Sequence, residues 1–520
     1  MAGGDDELDD DVTDELDEVR TAREGPTIEF YGGRWASALP LGLFVVWAIF
    51  QSGVLQIGDT TGLVAGMLVA LIVGMFFAKG SWATYANTIF EGMTQRVAAT
   101  AIVAWLWAGM FAQTLQDGGF VDGLVWAADV LNVSASLFPA VTFVLAALLA
   151  TGIGTGYGTT ITFVGLFFPA GVLLGANPVL MFGAILSGAV FGDNLAPVSD
   201  TTIVSAVTQD SDIGGVVASR FKYAIIAAAF AFVGYLIAGS MMPGSGVDIA
   251  QTAGLGEAAN PLGLVHLVSI AVVIGTAVRG RHIVEAISWG IVSAFVFNVV
   301  LGLAPVSAML SFDAPQNLAA AQSLSWLPFV TLVEPGNAGI SGSLYSGAAG
   351  FFPLIVLTLL IVAGARIMIR GGGFEALQNW LLSAVATNVT RAETTMVLGT
   401  GLINAMITIN TAAEIAIAPY IARIGERYNI NGYRRANILD ANTSALGYIF
   451  PWAGGVLVGY AEMPDLVARY GTEAMLVQPA SVVPFVFHGW FLVAVFLFAA
   501  LTGFGREYTT DRTSGEVARV

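Results

Sequence analysis

Two polar segments interrupt long apolar stretches of this chain, and both are rich in side-chain oxygen atoms. The first is Gly192-Asp-Asn-Leu-Ala-Pro-Val-Ser-Asp-Thr-Thr202, and the second is Asp440-Ala-Asn-Thr-Ser444. Carboxylate, amide and hydroxyl oxygens are the ligands that hard cations such as Na⁺ prefer. Carboxylates that lie together in surroundings of low dielectric constant also hold protons tightly, and their titrations are coupled. Each segment can therefore contribute to a site that holds either Na⁺ or protons.

Four acidic residues are candidates for carboxylates inside a membrane, because they lie at or near the ends of charge-free stretches: Asp193, Asp200, Asp440 and Glu414. A carboxylate in a bilayer is costly unless it is paired or hydrated, so such residues are functional candidates by default. The alternative is a carboxylate at a helix end in the membrane interface, and it is strongest for Glu414. The neutral oxygen ligands expected beside these acids are Asn194, Ser199, Thr201, Thr202, Asn442, Thr443 and Ser444.

The composition indicates that a membrane surrounds the segments that carry these residues. Of the 520 residues, 56% are hydrophobic and only 11% are charged, and the mean hydropathy is +0.77. A soluble protein carries about a quarter charged residues. A membrane helix needs about 20 mostly apolar residues, and charge-free stretches such as 130–192 and 474–505 supply them repeatedly. We predict an all-α polytopic membrane protein with about 10–13 transmembrane helices, and we do not expect an enzyme.

Several of the apolar stretches contain backbone that does not suit an uninterrupted helix. Thr151–Gly158 has glycine at every second position, and both polar segments contain or precede proline and glycine. Irregular backbone at membrane depth is tolerated where it is buried in protein or lines a watery cavity, so broken or re-entrant segments are expected. Tight helix packing through small residues is the alternative for the glycine run. Two amphipathic segments, 81–95 and 374–386, suggest an internal repeat.

The ends of the chain differ from its middle. Ten of the 37 acidic residues lie between Asp5 and Glu18. We predict an acidic disordered cytoplasmic arm over residues 1–35, a transmembrane transporter domain over 36–505 and a short polar tail over 506–520. An acidic arm does not attract nucleic acid or anionic lipid. The chain has two Lys against 18 Arg, and together with the acidic ends this favours a halophilic source over codon bias. The chain has no Cys, which excludes disulfides.

Four motifs resemble the NhaC-type Na⁺/H⁺ antiporter family, within the ion-transporter superfamily. The most specific is residues 187–203, which is similar to the family's Gly-Asp-x-x-x-Pro-x-Ser-Asp-Thr-Thr signature. The others are 151–158 with Pro169, 438–444 with Phe450-Pro-Trp452, and 483–490. The similarity runs from about residue 36 to residue 505. Two positions depart from the family pattern: Asn194 stands where His or a basic residue is common, and Ala453 follows Trp452 in place of Asn.

The resemblance implies exchange of Na⁺ (or Li⁺) for H⁺ across the cell membrane by alternating access, driven by ion gradients. It makes Asp193, Asp200 and Asp440 the carboxylates that hold the transported Na⁺, with Glu414 as a further candidate. Na⁺ and H⁺ are then the substrates and the lipid bilayer is the surrounding partner, with no cofactor and no structural metal. A homodimer is an assembly that the sequence leaves open.

The main alternative is an organic-acid or amino-acid carrier on the same scaffold, coupled to Na⁺ or H⁺, as in malate/lactate exchange. Such a carrier needs a cationic group near the site to hold the solute. None of the 20 Lys and Arg residues lies within either polar segment, and this favours a pure cation exchanger. A passive channel is a further alternative, which transport data would separate from an exchanger.

Overall fold

The structure is a computed structural model, and it describes residues 27–247 and 260–509. The predicted arm and tail lie mostly outside these ranges. The described residues nearest to the termini belong to the fold: Phe30 is buried and pairs with Ala78, and Tyr508 pairs with Ile430. Residues 27–35 and 506–509 are therefore packed against the membrane domain.

Between residues 27 and 247, the structure contains ten α-helices. In chain order they are α1 (Leu39–Ala48), α2 (Thr60–Phe77), α3 (Trp82–Met93), α4 (Arg96–Asp117), α5 (Phe120–Val130), α6 (Phe138–Ile153), α7 (Gly156–Leu173), α8 (Pro178–Leu195), α9 (Asp200–Thr208) and α10 (Ile213–Met241). A 3₁₀ turn at Arg34–Ala38 and a π turn at Ile49–Val54 extend α1 at both ends. The apolar stretches of the sequence thus become helices, as expected.

The second part of the chain contains the remaining helices and three short strands. The helices are α11 (His266–Ala277), α12 (Ile283–Val300), α13 (Val306–Met309), α14 (Ala319–Leu324), α15 (Ser343–Ala349), α16 (Phe352–Arg370), α17 (Gly373–Trp380), α18 (Val389–Ile407), α19 (Asn410–Arg427), α20 (Gly432–Leu446), α21 (Gly454–Tyr470), α22 (Pro479–Val482) and α23 (Phe487–Thr502). The strands are β1 (Ser311–Pro315), β2 (Val330–Val333) and β3 (Gly339–Ser341).

The three strands form a small sheet that the sequence analysis does not anticipate. Strand β1 is central, parallel to β2 and antiparallel to β3. It follows the short helix α13, and the preceding α12 ends at Val300, so the charge-free stretch 286–312 is not all helix. The residues that the structure describes are mostly helical, and they form this one small sheet.

Length and apolar composition alone identify fewer membrane spans than the 10–13 that we predict. Among the described residues, eight helices are long and apolar enough to cross a membrane, and the bent pair Pro479–Phe485 and Phe487–Thr502 brings the number to nine. Helix α6 and the segment Pro261–Ala277 are apolar but shorter. Helices α18–α21 do not meet the same criterion because they are too short or carry too many polar residues. Hydropathy alone therefore undercounts the polar helices at the centre.

Besides the bend at Val486, four breaks between helices of the described residues matter for the interior, two in each half of the chain. In the first half, Gly154 separates α6 from α7 and residues 196–199 separate α8 from α9. In the second half, Thr408 and Ile409 separate α18 from α19, and residues 447–453 separate α20 from α21. The matching order of breaks agrees with the suggested internal repeat. It also agrees with the broken segments that the glycine and proline pattern predicts.

Helix α7 lies at the centre of the molecule. Every residue from Gly156 to Leu173 is buried. It packs against α4, α6, α8 and α21, whereas α10 and α12 expose most of their surface. The outer helices therefore face lipid, and the broken helices form the interior.

Candidate functional site

A cavity of about 290 Å³ opens where three of the helix breaks meet. It is bounded by the start of α4, the α6–α7 break, the α8–α9 break, the α11–α12 connection and the α18–α19 break. Its polar lining residues are Arg96, Thr100, Thr155, Tyr157, Asp193, Asp200, Thr201, Arg281, His282, Asn410 and Thr411. Two of the predicted carboxylates, Asp193 and Asp200, are among them.

Asp193 lies in the last turn of α8 and is 3% exposed. The hydroxyl of Ser199 donates a hydrogen bond to its Oδ1 atom over 2.9 Å, and the hydroxyl of Tyr448 donates to its Oδ2 atom over 3.2 Å. Tyr448 lies in the α20–α21 break of the other half. Hydroxyl donors satisfy a buried carboxylate without neutralising its charge, so Asp193 can still accept a cation or a proton.

Asp200 is the first residue of α9, and its carboxylate joins two breaks. Its Oδ1 atom accepts the backbone N–H of Thr201 over 2.9 Å, and its Oδ2 atom accepts the hydroxyl of Thr411 from α19. The free N–H groups at a helix N-terminus favour a negative charge at this position. Asp193 and Asp200 thus both receive donors from their own break and from the opposite half.

Glycine at position 156 makes this arrangement possible. A Cβ atom added there would lie 2.0 Å from the Tyr448 hydroxyl oxygen and 3.1 Å from Oδ2 of Asp193. The rings of Tyr157 and Tyr448 also lie 5.6 Å apart, centroid to centroid. The glycine run therefore brings the backbone of α7 close to the carboxylate. The glycine run thus allows this close contact in addition to breaking the helix.

Asp440 lies deeper, on α20, and its charge is neutralised. It forms an ion pair with Arg220 of α10, and both side chains are fully buried. The hydroxyl of Ser444 donates to its Oδ1 atom over 2.7 Å, and that of Thr202 donates to its Oδ2 atom over 3.3 Å. Arg220 also donates to the backbone oxygen of Asn194 over 2.6 Å. Asp440 is thus paired with a base and does not line the cavity.

Arg220 corrects one argument of the sequence analysis. We expected no basic residue at the site, because none lies within the polar segments, and that expectation is wrong. Arg220 lies inside α10, which begins at Ile213 behind the capping residue Asp212. The cap followed by an apolar run was the available signal that Arg220 lies more than one turn inside a helix.

Glu414 is buried inside the protein and does not lie at a membrane interface. It belongs to α19 and is fully buried. The hydroxyl of Thr443 donates to its Oε1 atom over 2.7 Å, and within the described residues its Oε2 atom has no hydrogen-bond partner. The interface alternative raised for this residue is therefore wrong. Glu414 belongs to the deeper group with Asp440.

The neutral candidates divide between the same two groups. Ser199 and Thr201 lie beside Asp193, with their hydroxyl oxygens 3.0 Å apart, whereas Thr202, Thr443 and Ser444 serve the deeper acids. The amides of Asn194 and Asn442 donate to backbone oxygens one turn earlier, at Val190 and Ile438. Within the described residues, the side-chain oxygens of both are buried without a partner, so they remain available to a ligand.

The predicted acids do not converge on one ion in this conformation. In the described part of the chain, no three Asp, Glu or His side chains are placed to hold a common metal ion. The geometry instead gives a cavity-lining pair, Asp193 and Asp200, and a deeper group that contains Arg220, Asp440 and Glu414. Tyr448, Thr411 and Arg220 were missed by sequence reasoning, since each reaches the site from a distant helix.

Comparison with known proteins places the chain in a family. The model of the Na⁺/H⁺ antiporter family matches residues 34–240 and 241–490. The arginine/ornithine antiporter ArcD of Halobacterium salinarum is 25% identical over 79% of this chain and 84% of its own length. The Malate-2H(+)/Na(+)-lactate antiporter of Bacillus subtilis is 26% identical over 40% of this chain and 44% of its own length.

The Na(+)/H(+) antiporter NhaC of Alkalihalophilus pseudofirmus is 26% identical over 32% of this chain and 35% of its own length. The chain thus spans less than half of the malate and NhaC relatives. The family model, by contrast, covers most of this chain, and eight or nine of the described helical units can cross a membrane. The chain therefore belongs to the Na⁺/H⁺ antiporter family and is a multi-pass transporter of the cell membrane.

Proposed function

We propose that the protein exchanges Na⁺ (or Li⁺) for H⁺ at Asp193 and Asp200. The observation that carries the proposal is that Asp193, which is buried, and Asp200, which is partly buried, line a cavity and receive their hydrogen bonds from hydroxyl and backbone donors. Such carboxylates keep their charge available. Oxygen ligands for Na⁺ are at hand in Ser199, Thr201 and the carbonyl groups of the helix breaks.

Exchange follows from competition for the same oxygens. Na⁺ binding requires ionised carboxylates, so it releases protons, and protonation expels Na⁺. Coupling then needs only that the site opens to one side at a time. The donors from Tyr448 and Thr411 connect Asp193 and Asp200 to the opposite half of the chain. A change in the ion bound at the two acids therefore alters hydrogen bonds to both halves of the chain.

The deeper group has a different part in this proposal. Asp440 is neutralised by Arg220, whose guanidinium also holds the backbone oxygen of Asn194 beside Asp193. A buried ion pair that bridges α8, α10 and α20 fixes the end of α8. We assign Asp440 and Arg220 to positioning of the cavity-lining acids, and we keep Glu414 as a proton-accepting candidate.

A second candidate is an organic-acid or amino-acid carrier coupled to Na⁺ or H⁺. The cavity, at about 290 Å³, is larger than one cation needs, and Arg96, Arg281 and His282 line it together with the two acids. Guanidinium groups bind carboxylates, and carboxylates bind ammonium groups, so this lining also suits a zwitterion. The named functions of the arginine/ornithine and malate/lactate relatives are consistent with this candidate.

Proteoliposomes with an internal pH dye separate the two candidates. Na⁺, Li⁺, K⁺, malate and arginine are added to separate samples under an imposed proton gradient. A dye response to Na⁺ and Li⁺ alone supports cation exchange. A response that requires malate or arginine supports the organic-solute carrier. A response to no solute contradicts both.

A further inference from the structure

A further buried carboxylate, that of Glu462, lies outside the site described above. Glu462 belongs to α21 and is 4% exposed. Its Oε2 atom accepts a hydrogen bond from Nε2 of Gln113, on α4, over 3.3 Å. It does not line the cavity, and cation exchange at Asp193 and Asp200 does not by itself use it. A carboxylate buried this deeply in a membrane protein needs an explanation.

A buried amide donor without a partner lies against the same place. Gln116 is 4% exposed, and within the described residues its Nε2 atom makes no hydrogen bond. A Cβ atom added to Gly165 of α7 would lie 3.0 Å from that nitrogen and 3.9 Å from Oε2 of Glu462. Both polar groups therefore face the bare backbone of Gly165. An unpartnered donor beside a carboxylate leaves room for water or a bound ion.

Helix α7 connects this place with the cavity. Tyr157 lines the cavity, and Gly165 follows two turns later, about 12 Å along the helix axis. Between them lies Thr160, whose hydroxyl is buried and without a partner in the described structure. A Cβ atom added to Gly459 of α21, one turn before Glu462, would lie 3.1 Å from the Cγ2 atom of Thr160, so the two helices approach closely here. Polar side chains thus follow one another along the interface between α7 and α21, at Tyr157, Thr160 and Glu462.

The Glu462 end of this interface points to the opposite side of the membrane from the cavity. Helix α4 begins at Arg96, which lines the cavity, and ends at Asp117, which pairs with Arg469 over 2.8 Å. Its 22 residues span about 33 Å, which is close to the thickness of the hydrocarbon core. Gln113 and Gln116 lie near the Asp117 end. Arg96 and Arg281 both line the cavity at the first end of α4, so the positive-inside rule makes that end the cytoplasmic one.

The charge around Glu462 is small. The facing part of α7 has no ionisable side chain other than Tyr157, and α4 contributes the neutral amides of Gln113 and Gln116 before Asp117. Besides Glu462, the charged residues on α21 and on the elements that pack against it are Asp465, Arg469, Asp117, Arg96, Asp193, Glu473, Arg366 and Arg370. Among them, Arg469 pairs with Asp117, and Arg370 pairs with Glu91. The nearest acid on the same helix is Asp465, one turn further on an exposed face.

We propose that Glu462, with Gln113 and Gln116, is a second proton-binding site on the outer half of the transport path. Its carboxylate takes a proton from external water and passes it along the α7–α21 interface toward Asp193, through hydroxyl groups and water. In the reverse direction it receives the proton and releases it outside. The proposal rests on Na⁺/H⁺ exchange as the function, and it makes Glu462 necessary for proton movement but not for Na⁺ binding.

Glu462→Gln separates these two activities, because Gln keeps the shape and cannot ionise. Purified variants are reconstituted and two rates are measured: exchange of radioactive Na⁺ for unlabelled Na⁺ at fixed pH, and Na⁺-driven proton movement reported by a dye. We expect Na⁺/Na⁺ exchange to stay near the wild-type rate. We expect proton movement to fall by about tenfold or more, as for the loss of one proton-transfer group. Glu462→Asp should restore part of it.

Glu473→Gln is the control, because it removes an exposed carboxylate that follows the end of α21, and it should leave both rates unchanged. Wild-type proton movement in Glu462→Gln at every pH would overturn the inference. Equal loss of both rates, without rescue by Glu462→Asp, would also overturn it and indicate a structural role. Failure of the proposed function looks different, because wild-type protein then shows no Na⁺-driven proton movement.

Discussion

Arg220 and Asp440 form a fully buried ion pair that joins α10 to α20 next to the cavity-lining acids. Two charges removed from water are stable together, but either one alone is strongly destabilising. The pair therefore explains how a guanidinium and a carboxylate persist in the interior of a membrane protein. It also places a fixed positive charge behind Asn194, one residue from Asp193.

The pair gives a prediction about stability. Arg220→Gln leaves Asp440 buried and unpaired, and we expect a loss of about 3–5 kcal/mol of stability. The measurement is the apparent melting temperature of the purified protein in detergent, which should fall clearly. The double variant Arg220→Gln/Asp440→Asn should be less damaged than Arg220→Gln alone. A single variant as stable as the wild type contradicts the assignment.

The hydrogen bond from Tyr448 to Asp193 gives a prediction about ion competition. Tyr448→Phe removes the hydroxyl and keeps the ring. Since this donor stabilises the ionised carboxylate, its loss favours the protonated form. Protons should then compete better with Na⁺, and the Na⁺ concentration for half-maximal exchange should rise most at low pH. The measurement is that concentration at several pH values. An unchanged pH dependence indicates that Tyr448 does not act on Asp193.

The close approach at Gly156 gives a prediction about shape. Gly156→Ala places a methyl group 2.0 Å from the Tyr448 hydroxyl oxygen, so the tyrosine must move away from Asp193. We expect a large loss of exchange activity. Gly152→Ala is the matched control from the same glycine run, because its methyl group meets only the side chain of Ile274, at 3.3 Å. Equal activity of the two variants in proteoliposomes would contradict the packing argument.

The membrane class and the helix breaks follow from local features of the sequence. Charge-free runs become helices, and Gly154 and the Pro197 segment interrupt them where expected. Asp193 and Asp200 share a cavity because they flank one break, which their spacing already indicates. The small sheet after Val300 was not anticipated, because short strands with little alternation resemble the apolar runs around them.

The partners of the acids could not be predicted in the same way. Arg220, Thr411 and Tyr448 reach the site from helices far away in the chain, so no local spacing connects them with Asp193, Asp200 or Asp440. The division of the acids into a cavity-lining pair and a deeper group is likewise a result of packing. Glu462 directly follows the charge-free stretch 441–461, so the signal that marks Glu414 was available for it as well, but it was not used.

The central claim is that Asp193 and Asp200 hold both Na⁺ and protons. Replacing either with Asn keeps the shape and one carbonyl oxygen but removes the titratable, charged group. Glu334→Gln is the control, since Glu334 is exposed in the loop between β2 and β3.

The most direct measurement is dye-reported Na⁺/H⁺ exchange by these three variants and the wild type in proteoliposomes, at several pH values. We expect Asp193→Asn and Asp200→Asn to insert normally and to lose exchange, and Glu334→Gln to match the wild type. In the wild type, the apparent Na⁺ affinity should weaken as the pH falls, because protons compete for the same carboxylates. Full exchange by both Asp193→Asn and Asp200→Asn would contradict the claim and direct attention to Glu414 and Asp440.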